Sequence, residues 1–305
     1  MGSLVGILFF VVGLALVIAG AELFFDGLLA SAARLGLSTF VLTVVVSGFE
    51  LENLAAGVAA NLKGLGNAAA GTFLGGTTFL ALGVAGLGAA ISPIRATLPA
   101  PVLLWSAAAP LPLLALGLDG NLSRLDGLVL LVWAAIAIGG IAYAGRTLLT
   151  DEPPPRRRHP LVRMLAGLGV LSGAGVALGD GLHRVVTSFG VSQSLLGNTA
   201  IAATVEFEEV SRVAVPARHG RGDVALGNIV GTIAHFAAFN AGVIALVRPI
   251  HLDSTSHHLH LPVSAASVLT LSALTARRRG LGRRDAALLL SLYAAYVAAA
   301  ILLST

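Results

Sequence analysis

Ten stretches of about 20 predominantly apolar residues follow one another between Leu4 and Leu303, and no other feature constrains the fold as much. A bilayer's hydrocarbon core is about 30 Å thick, and an α-helix crosses it in about 20 residues. Within that core each backbone N–H and C=O must be bonded inside its own segment, so stretches of this length are read as membrane helices. The approximate spans are 4–33, 39–62, 67–92, 98–117, 125–147, 161–187, 192–218, 223–247, 261–276 and 285–303. The first and sixth are long enough to be tilted or bent. The sequence therefore predicts an all-α, polytopic membrane protein with about ten transmembrane helices. Composition agrees: 56% of residues are hydrophobic and 11% charged, against about 25% charged in soluble domains. The opening run, Leu4 to Ala19, lacks a basic start and continues into Glu22 and Asp26, so it reads as the first membrane helix and not as a secretory signal. The chain has no cysteine, which excludes disulfides, thiolate metal sites and thiol catalysis.

The basic residues sit in short loops between spans, which argues for membrane orientation and against nucleic-acid binding. Alternate loops place Arg34, Arg95, Arg146, Arg156, Arg157, Arg158, Arg163, Arg218, Arg221 and the run from Arg277 to Arg284 on one side. Lys63, Arg124, Arg184 and Arg248 fall on the other. The richer side is expected to be cytoplasmic, with both termini outside. The segment TDEPPPRRRHP, residues 150–160, cannot continue a helix through its three prolines. It divides the chain into a first five-helix repeat, 1–149, and a second, 161–305. Five helices per half is an odd number, so the second repeat must be inverted.

An internal repeat is legible. Gly48-Phe-Glu-Leu-Glu-Asn-Leu54 aligns with Thr204-Val-Glu-Phe-Glu-Glu-Val210, and the same offset carries Gly64, Gly66, Gly71 and Gly75 onto Gly220, Gly222, Gly227 and Gly231. Upstream, Asp26-Gly27 matches Asp180-Gly181 with a two-residue shift. Of 15 acidic residues, five fall inside two apolar spans at equivalent places: Glu50, Glu52, Glu206, Glu208 and Glu209. A charge at the bilayer centre costs about 2.5–3.5 kcal/mol on insertion scales, so these side chains must face a cavity or a partner. One alternative is a polar cluster that merely glues helices together. At helical spacing Glu50 shares a face with Asn53, and Glu206 with Glu209, while Glu52 and Glu208 point elsewhere. Inversion would bring the two faces together near the midplane as an oxygen cage suited to hard cations such as Ca²⁺ and Na⁺. Crowded carboxylates resist simultaneous ionisation, so protons and cations compete for them, as antiport requires.

The expected ion-binding or proton-coupling residues are Glu50, Asn53, Glu206 and Glu209, with Glu52 and Glu208 second. Direct metal ligands are expected from Glu50, Glu206 and Glu209. The glycine-rich segments 71–78 and 227–234 begin the partner helices and add Thr77, Thr78, Thr232 and His235 as polar groups within reach. Arg212 lies three residues after Glu209 and four after Glu208, where an internal salt bridge is expected; it would lower the site's negative charge and favour a monovalent cation, a proton or an altered divalent site. No intramembrane H-E-x-x-H is present, so a metal-dependent hydrolase is disfavoured and no enzymatic activity is expected. His251, His257, His258 and His260 lie in an outward loop, read as solvated, with zinc as the alternative. Asp26 and Asp180 read as caps or interfacial charges.

This pattern resembles the calcium/cation antiporter superfamily, which includes sodium/calcium and proton/calcium exchangers. Gly20-Ala-Glu-Leu-Phe-Phe-Asp-Gly27 with Arg34-Leu-Gly-Leu-Ser38 looks like the family's first helix, and Ala225-Leu-Gly-Asn-Ile-Val-Gly-Thr232 like its G-N-x-x-G-S segment. The resemblance covers nearly the whole chain. Family members carry G-T-S-x-P-E in each copy, with Thr, Ser and Glu contributing to ion binding. Here Phe49, Glu50, Glu52 and Asn53 take the Thr, Ser, Pro and Glu positions of the first copy, and Val205, Glu206, Glu208 and Glu209 those of the second. The later Ser becomes Gly76 and Thr232, and the acidic or amide position one turn on becomes Leu80 and Phe236. The resemblance implies a multi-pass cell-membrane protein that exchanges Ca²⁺ or another cation for Na⁺ or H⁺, with the cation as substrate and no cofactor. The open alternative is a non-transporting scaffold or sensor that keeps the fold. Nothing in the sequence sets an oligomeric state.

Overall fold

The computed structural model describes residues 2–48, 50–148, 157–188 and 207–304. Its helices are α1 (Gly2–Leu35), α2 (Thr39–Val46), α3 (Leu51–Leu62), α4 (Gly66–Ile91), α5 (Ala100–Asp119) and α6 (Arg124–Gly145) in the first half. The second half has α7 (Pro160–Ser188), α8 (Phe207–Arg218), α9 (Gly222–Val247), α10 (Ser256–Arg278) and α11 (Arg283–Ser304). Among the described residues seven helices are long and apolar enough to cross a membrane. The expected span 39–62 is built from two short helices, α2 and α3. Of the expected span 192–218, only α8 falls within the described residues.

The repeat is visible in backbone detail. α4 runs as α-helix over Gly66–Thr78, widens to a π-helix over Phe79–Val84 and returns to α-helix over Ala85–Ile91. α9 does the same over Gly222–Ala234, His235–Asn240 and Ala241–Val247. Each boundary in α4 therefore maps onto α9 at the register that aligned the glutamates. π-helical turns are rare and concentrate at functional sites.

Burial sorts the spans. In α4 and α9, 78% and 83% of the apolar window is buried, against 11% in α11 and 28% in α6, so α4 and α9 form the centre. The outer faces of α6 and α11 are left for lipid, as Leu125, Leu128, Val132, Leu288 and Leu302 are exposed. The halves interlock reciprocally: α6 packs on the last turns of α9, and α11 on the last turns of α4. Short antiparallel pairings repeat the exchange, Ile94–Arg95 with Gly280–Leu281 and Asn121–Leu122 with Ile250–His251. Charge sorting had assigned the loops of each pair to one side of the membrane.

α1 and α7 pack along much of their length around Val17, Phe24, Leu28 and Leu171. Their approach is set by glycine. A Cβ on Gly27 would lie 2.3 Å from the backbone nitrogen of Met164, and one on Gly167 2.3 Å from that of Phe24. Small residues let membrane helices meet backbone to backbone, where dispersion replaces a missing hydrophobic drive.

Candidate cation site

The second span breaks where its charges begin. α2 ends at Val46, and Glu50 occupies the N-cap of α3 with φ −91° and ψ 86°. The break frees the Ser47 carbonyl, which accepts a hydrogen bond from Arg212 Nη1 at 3.3 Å. Gly48 makes room for the His235 ring at the first residue of the α9 π-helix; a Cβ there would fall 2.1 Å from its Nδ1. That nitrogen donates to the Gly231 carbonyl at 2.8 Å.

α8 supplies the other side. Residues three and four apart share a helix face, so Glu208 and Glu209 both meet Arg212. Arg212 Nη2 donates to Glu208 Oε1 at 2.7 Å, and Nη1 donates to Glu209 Oε1. Nη1 also lies 3.7 Å from Glu50 Oε1, across from the first half of the chain. The expectation of a salt bridge internal to one helix is thus extended: one guanidinium joins carboxylates from both repeats, together with a backbone carbonyl. It also lies 5.8 Å from the centre of the Phe24 ring of α1, a cation–π contact.

Amides complete the cluster. Asn53 Nδ2 donates to Glu50 Oε2, so the i,i+3 pairing read from sequence holds even though Glu50 sits at a cap. Asn228 of α9 donates through Nδ2 to Glu209 Oε2 at 2.7 Å, and Ser47 Oγ donates to the Asn228 carbonyl at 3.4 Å. Glu50, Glu208, Glu209 and Arg212 are all buried, none more than 4% exposed. Such charges are tolerated only because each has partners. Glu52 is half-buried beside them, within electrostatic range of Glu208 and Arg212.

Asn228 and Ser47 were not read from the sequence as site residues. Asn228 stood in the quoted G-N-x-x-G segment, but only tertiary packing shows that it meets Glu209. Glu206 lies outside the described residues. Thr77 and Thr232 are fully buried, and their hydroxyls have no hydrogen-bond partner among the described residues. Thr78 donates to the Leu74 carbonyl at 2.9 Å. Where α4 crosses α9 the contact is apolar: the Phe236 ring fills the space a Cβ on Gly76 would need, 2.5 Å away, and Leu80 and Phe236 are both fully buried. Among the described residues no three His, Cys, Asp or Glu side chains are grouped to hold a metal.

The histidines of residues 257–260 take separate partners. His257 Nε2 donates to the Leu118 carbonyl at 2.9 Å, His258 Nδ1 to that of Ser254 at 3.0 Å, and His260 Nδ1 meets the Tyr296 hydroxyl at 2.7 Å. His257, His258 and His260 thus lie in the π-helical opening turn of α10 and not in the loop expected from the sequence, each with its own partner. Asp26 pairs with Arg157 at 2.5 Å and Arg163 at 3.9 Å, in keeping with an interfacial charge. The side chain of Asp180 lies outside the described ones.

Residues 5–141 and 159–302 match the family described as sodium/calcium exchanger protein. The putative antiporter CaxA of Alkalimonas amylolytica is 27% identical over 317 residues, covering 96% of this chain and 98% of its own. The inner membrane protein YrbG of Escherichia coli strain K12 is 27% identical over 299 residues, covering 89% and 90%. The solved structure of the sodium-calcium exchanger NCX_Mj soaked with 2.5 mM Na⁺ and 10 mM Sr²⁺ has a TM-score of 0.83 at 24% identity, over 97% of this chain and 99% of that one, a likeness of fold. With the family matched across both halves, the chain belongs to the sodium/calcium exchanger protein family and is a multi-pass protein of the cell membrane.

Proposed function

We propose that this chain is a secondary active cation antiporter, exchanging Ca²⁺ or another cation for Na⁺ or protons at one buried site. Glu50 and Asn53 at the α2–α3 break, Glu208 and Glu209 on α8, and Asn228 on α9 form that site, with Glu206 contributing from the repeat position equivalent to Glu50. Glu52 stands at its edge, and Thr77 and Thr232 line the helices that move against it. The single observation carrying this reading is the meeting of Glu50, from one half, with Glu208 and Glu209, from the other, around a common centre fully inside the protein.

The physics follows from that placement. Carboxylates held close in a low dielectric gain from any cation or proton that enters, and one occupant excludes the next. A site built from two repeats opens alternately when one rocks against the other. Division of the chain at the 150–160 linker belongs to this reading and is supported by the interruption of the family match between residues 141 and 159. The chemistry is binding and release, with no covalent step.

A second reading, a non-transporting relative that keeps the fold, is favoured by the apolar crossing of Phe236 on Gly76. Flux separates the two. Purified protein in liposomes is tested with Ca²⁺, Na⁺, K⁺, Mn²⁺ and Mg²⁺ against imposed sodium and proton gradients. Antiport gives uptake that reverses when the gradient is reversed. Folded protein without flux under any gradient establishes the second reading.

A further inference from the structure

A guanidinium occupies the centre of the carboxylate cluster. Neutralising a buried glutamate needs one positive group and one partner, yet Arg212 engages Glu208 and Glu209 and approaches Glu50 from the other repeat, with its side chain only 1% exposed. Two further oxygens, Glu208 Oε2 and Asn228 Oδ1, are buried there and have no hydrogen-bond partner among the described residues. Both are hard ligands of the kind Na⁺ and Ca²⁺ take. The cluster thus combines filled oxygens with unfilled ones around a resident positive charge.

We propose that Arg212 is a tethered counter-cation that sets which ions the site accepts: an entering ion takes the two unfilled oxygens and must compete with the guanidinium for those of Glu50 and Glu209. This rests on the reading of the cluster as the exchange site. Repulsion between the guanidinium and an entering ion scales with the ion's charge. If Arg212 weakens Na⁺ binding by some factor, it weakens Ca²⁺ binding by about the square of that factor. Arg212 therefore biases the site towards monovalent ions, and its charge holds the emptied carboxylates together between ions.

The test measures Ca²⁺ and Na⁺ binding to the purified full chain, with flux recorded in parallel. Arg212→Gln is expected to raise Ca²⁺ affinity at least tenfold and Na⁺ affinity by a smaller factor. Arg212→Lys, which keeps the charge, is expected to leave the Ca²⁺ to Na⁺ affinity ratio within threefold of wild type. In Arg212→Ala, millimolar guanidinium ion is expected to suppress the gained Ca²⁺ affinity, which a merely structural arginine would not permit. Arg212→Met repeats the test if Arg212→Gln does not fold. Unchanged or weakened Ca²⁺ binding in a folded neutral variant overturns the proposal, as does an equal gain for both ions. Wild-type flux with an Arg212→Gln affinity equal to wild type removes this inference and leaves antiport standing. A wild type without flux, beside a neutral variant that gains Ca²⁺ binding, removes antiport and leaves the tethered cation standing.

Discussion

Both carboxylate oxygens of Glu209 are engaged within the cluster, so its isosteric replacement gives a sharp energetic expectation. One oxygen accepts from Arg212 and the other from Asn228 at 2.7 Å. In Glu209→Gln, one of these positions becomes an NH₂ facing another donor, whichever way the amide is turned. The loss of a charge-assisted hydrogen bond costs about 1.5–3 kcal/mol. Removing one partner of a buried ion pair costs about 3–5 kcal/mol. Because Glu208 and Glu50 still face the guanidinium, the lower end applies, about 3 kcal/mol. Arg212→Met alone leaves three carboxylates without their counter-charge and costs at least as much. The double variant removes both charges, so its cost should fall short of the sum of the singles by at least about 1.5 kcal/mol. Unfolding midpoints in mixed micelles for the four proteins complete this cycle. Additivity within about 0.5 kcal/mol would refute the reasoning, because it would mean that the two groups do not depend on one another.

Gly167→Leu forces α1 and α7 apart, because its first added carbon falls 2.3 Å from a backbone nitrogen; a thermal melt followed by circular dichroism should show at least the about 1–3 kcal/mol cost of overpacking. Gly76→Ala collides with the Phe236 ring, so Gly76→Ala with Phe236→Ala should be more stable than Phe236→Ala alone, whose cavity costs about 3–5 kcal/mol, when both are melted side by side. Asp26→Asn breaks an ion pair whose side chains are 30% and 42% exposed; it should change stability by less than about 1 kcal/mol and leave flux unaltered in the liposome assay.

The helical membrane fold was legible because bilayer thickness imposes a length on each span, and because the internal repeat keeps Gly48–Leu54 and Thr204–Val210 in register. The π-helices at Phe79–Val84 and His235–Asn240 carry no local sequence mark, and only their recurrence in space identifies them. The break between Val46 and Leu51 has a partial sequence mark, Ser47-Gly48 followed by Glu50, but hydropathy alone does not register the change of backbone direction there. At the site, local spacing was sufficient for the pairings of Asn53 with Glu50 and of Arg212 with Glu208 and Glu209. Spacing could not reveal that Arg212 reaches Ser47 and Glu50, or that Asn228 reaches Glu209, since these contacts join segments far apart in the chain. Nor could spacing reveal that the Phe236 ring fills the space beside Gly76 where the two partner helices cross.

The most direct test of the central claim is cation uptake into liposomes containing wild type, Glu50→Gln or Glu209→Gln, driven by an imposed sodium or proton gradient. Glu50 and Glu209 come from opposite halves of the chain, and a shared exchange site makes each indispensable. Wild type is expected to show gradient-reversible uptake, and both variants to lose it while they remain folded. Full uptake by either folded variant would contradict a shared exchange site.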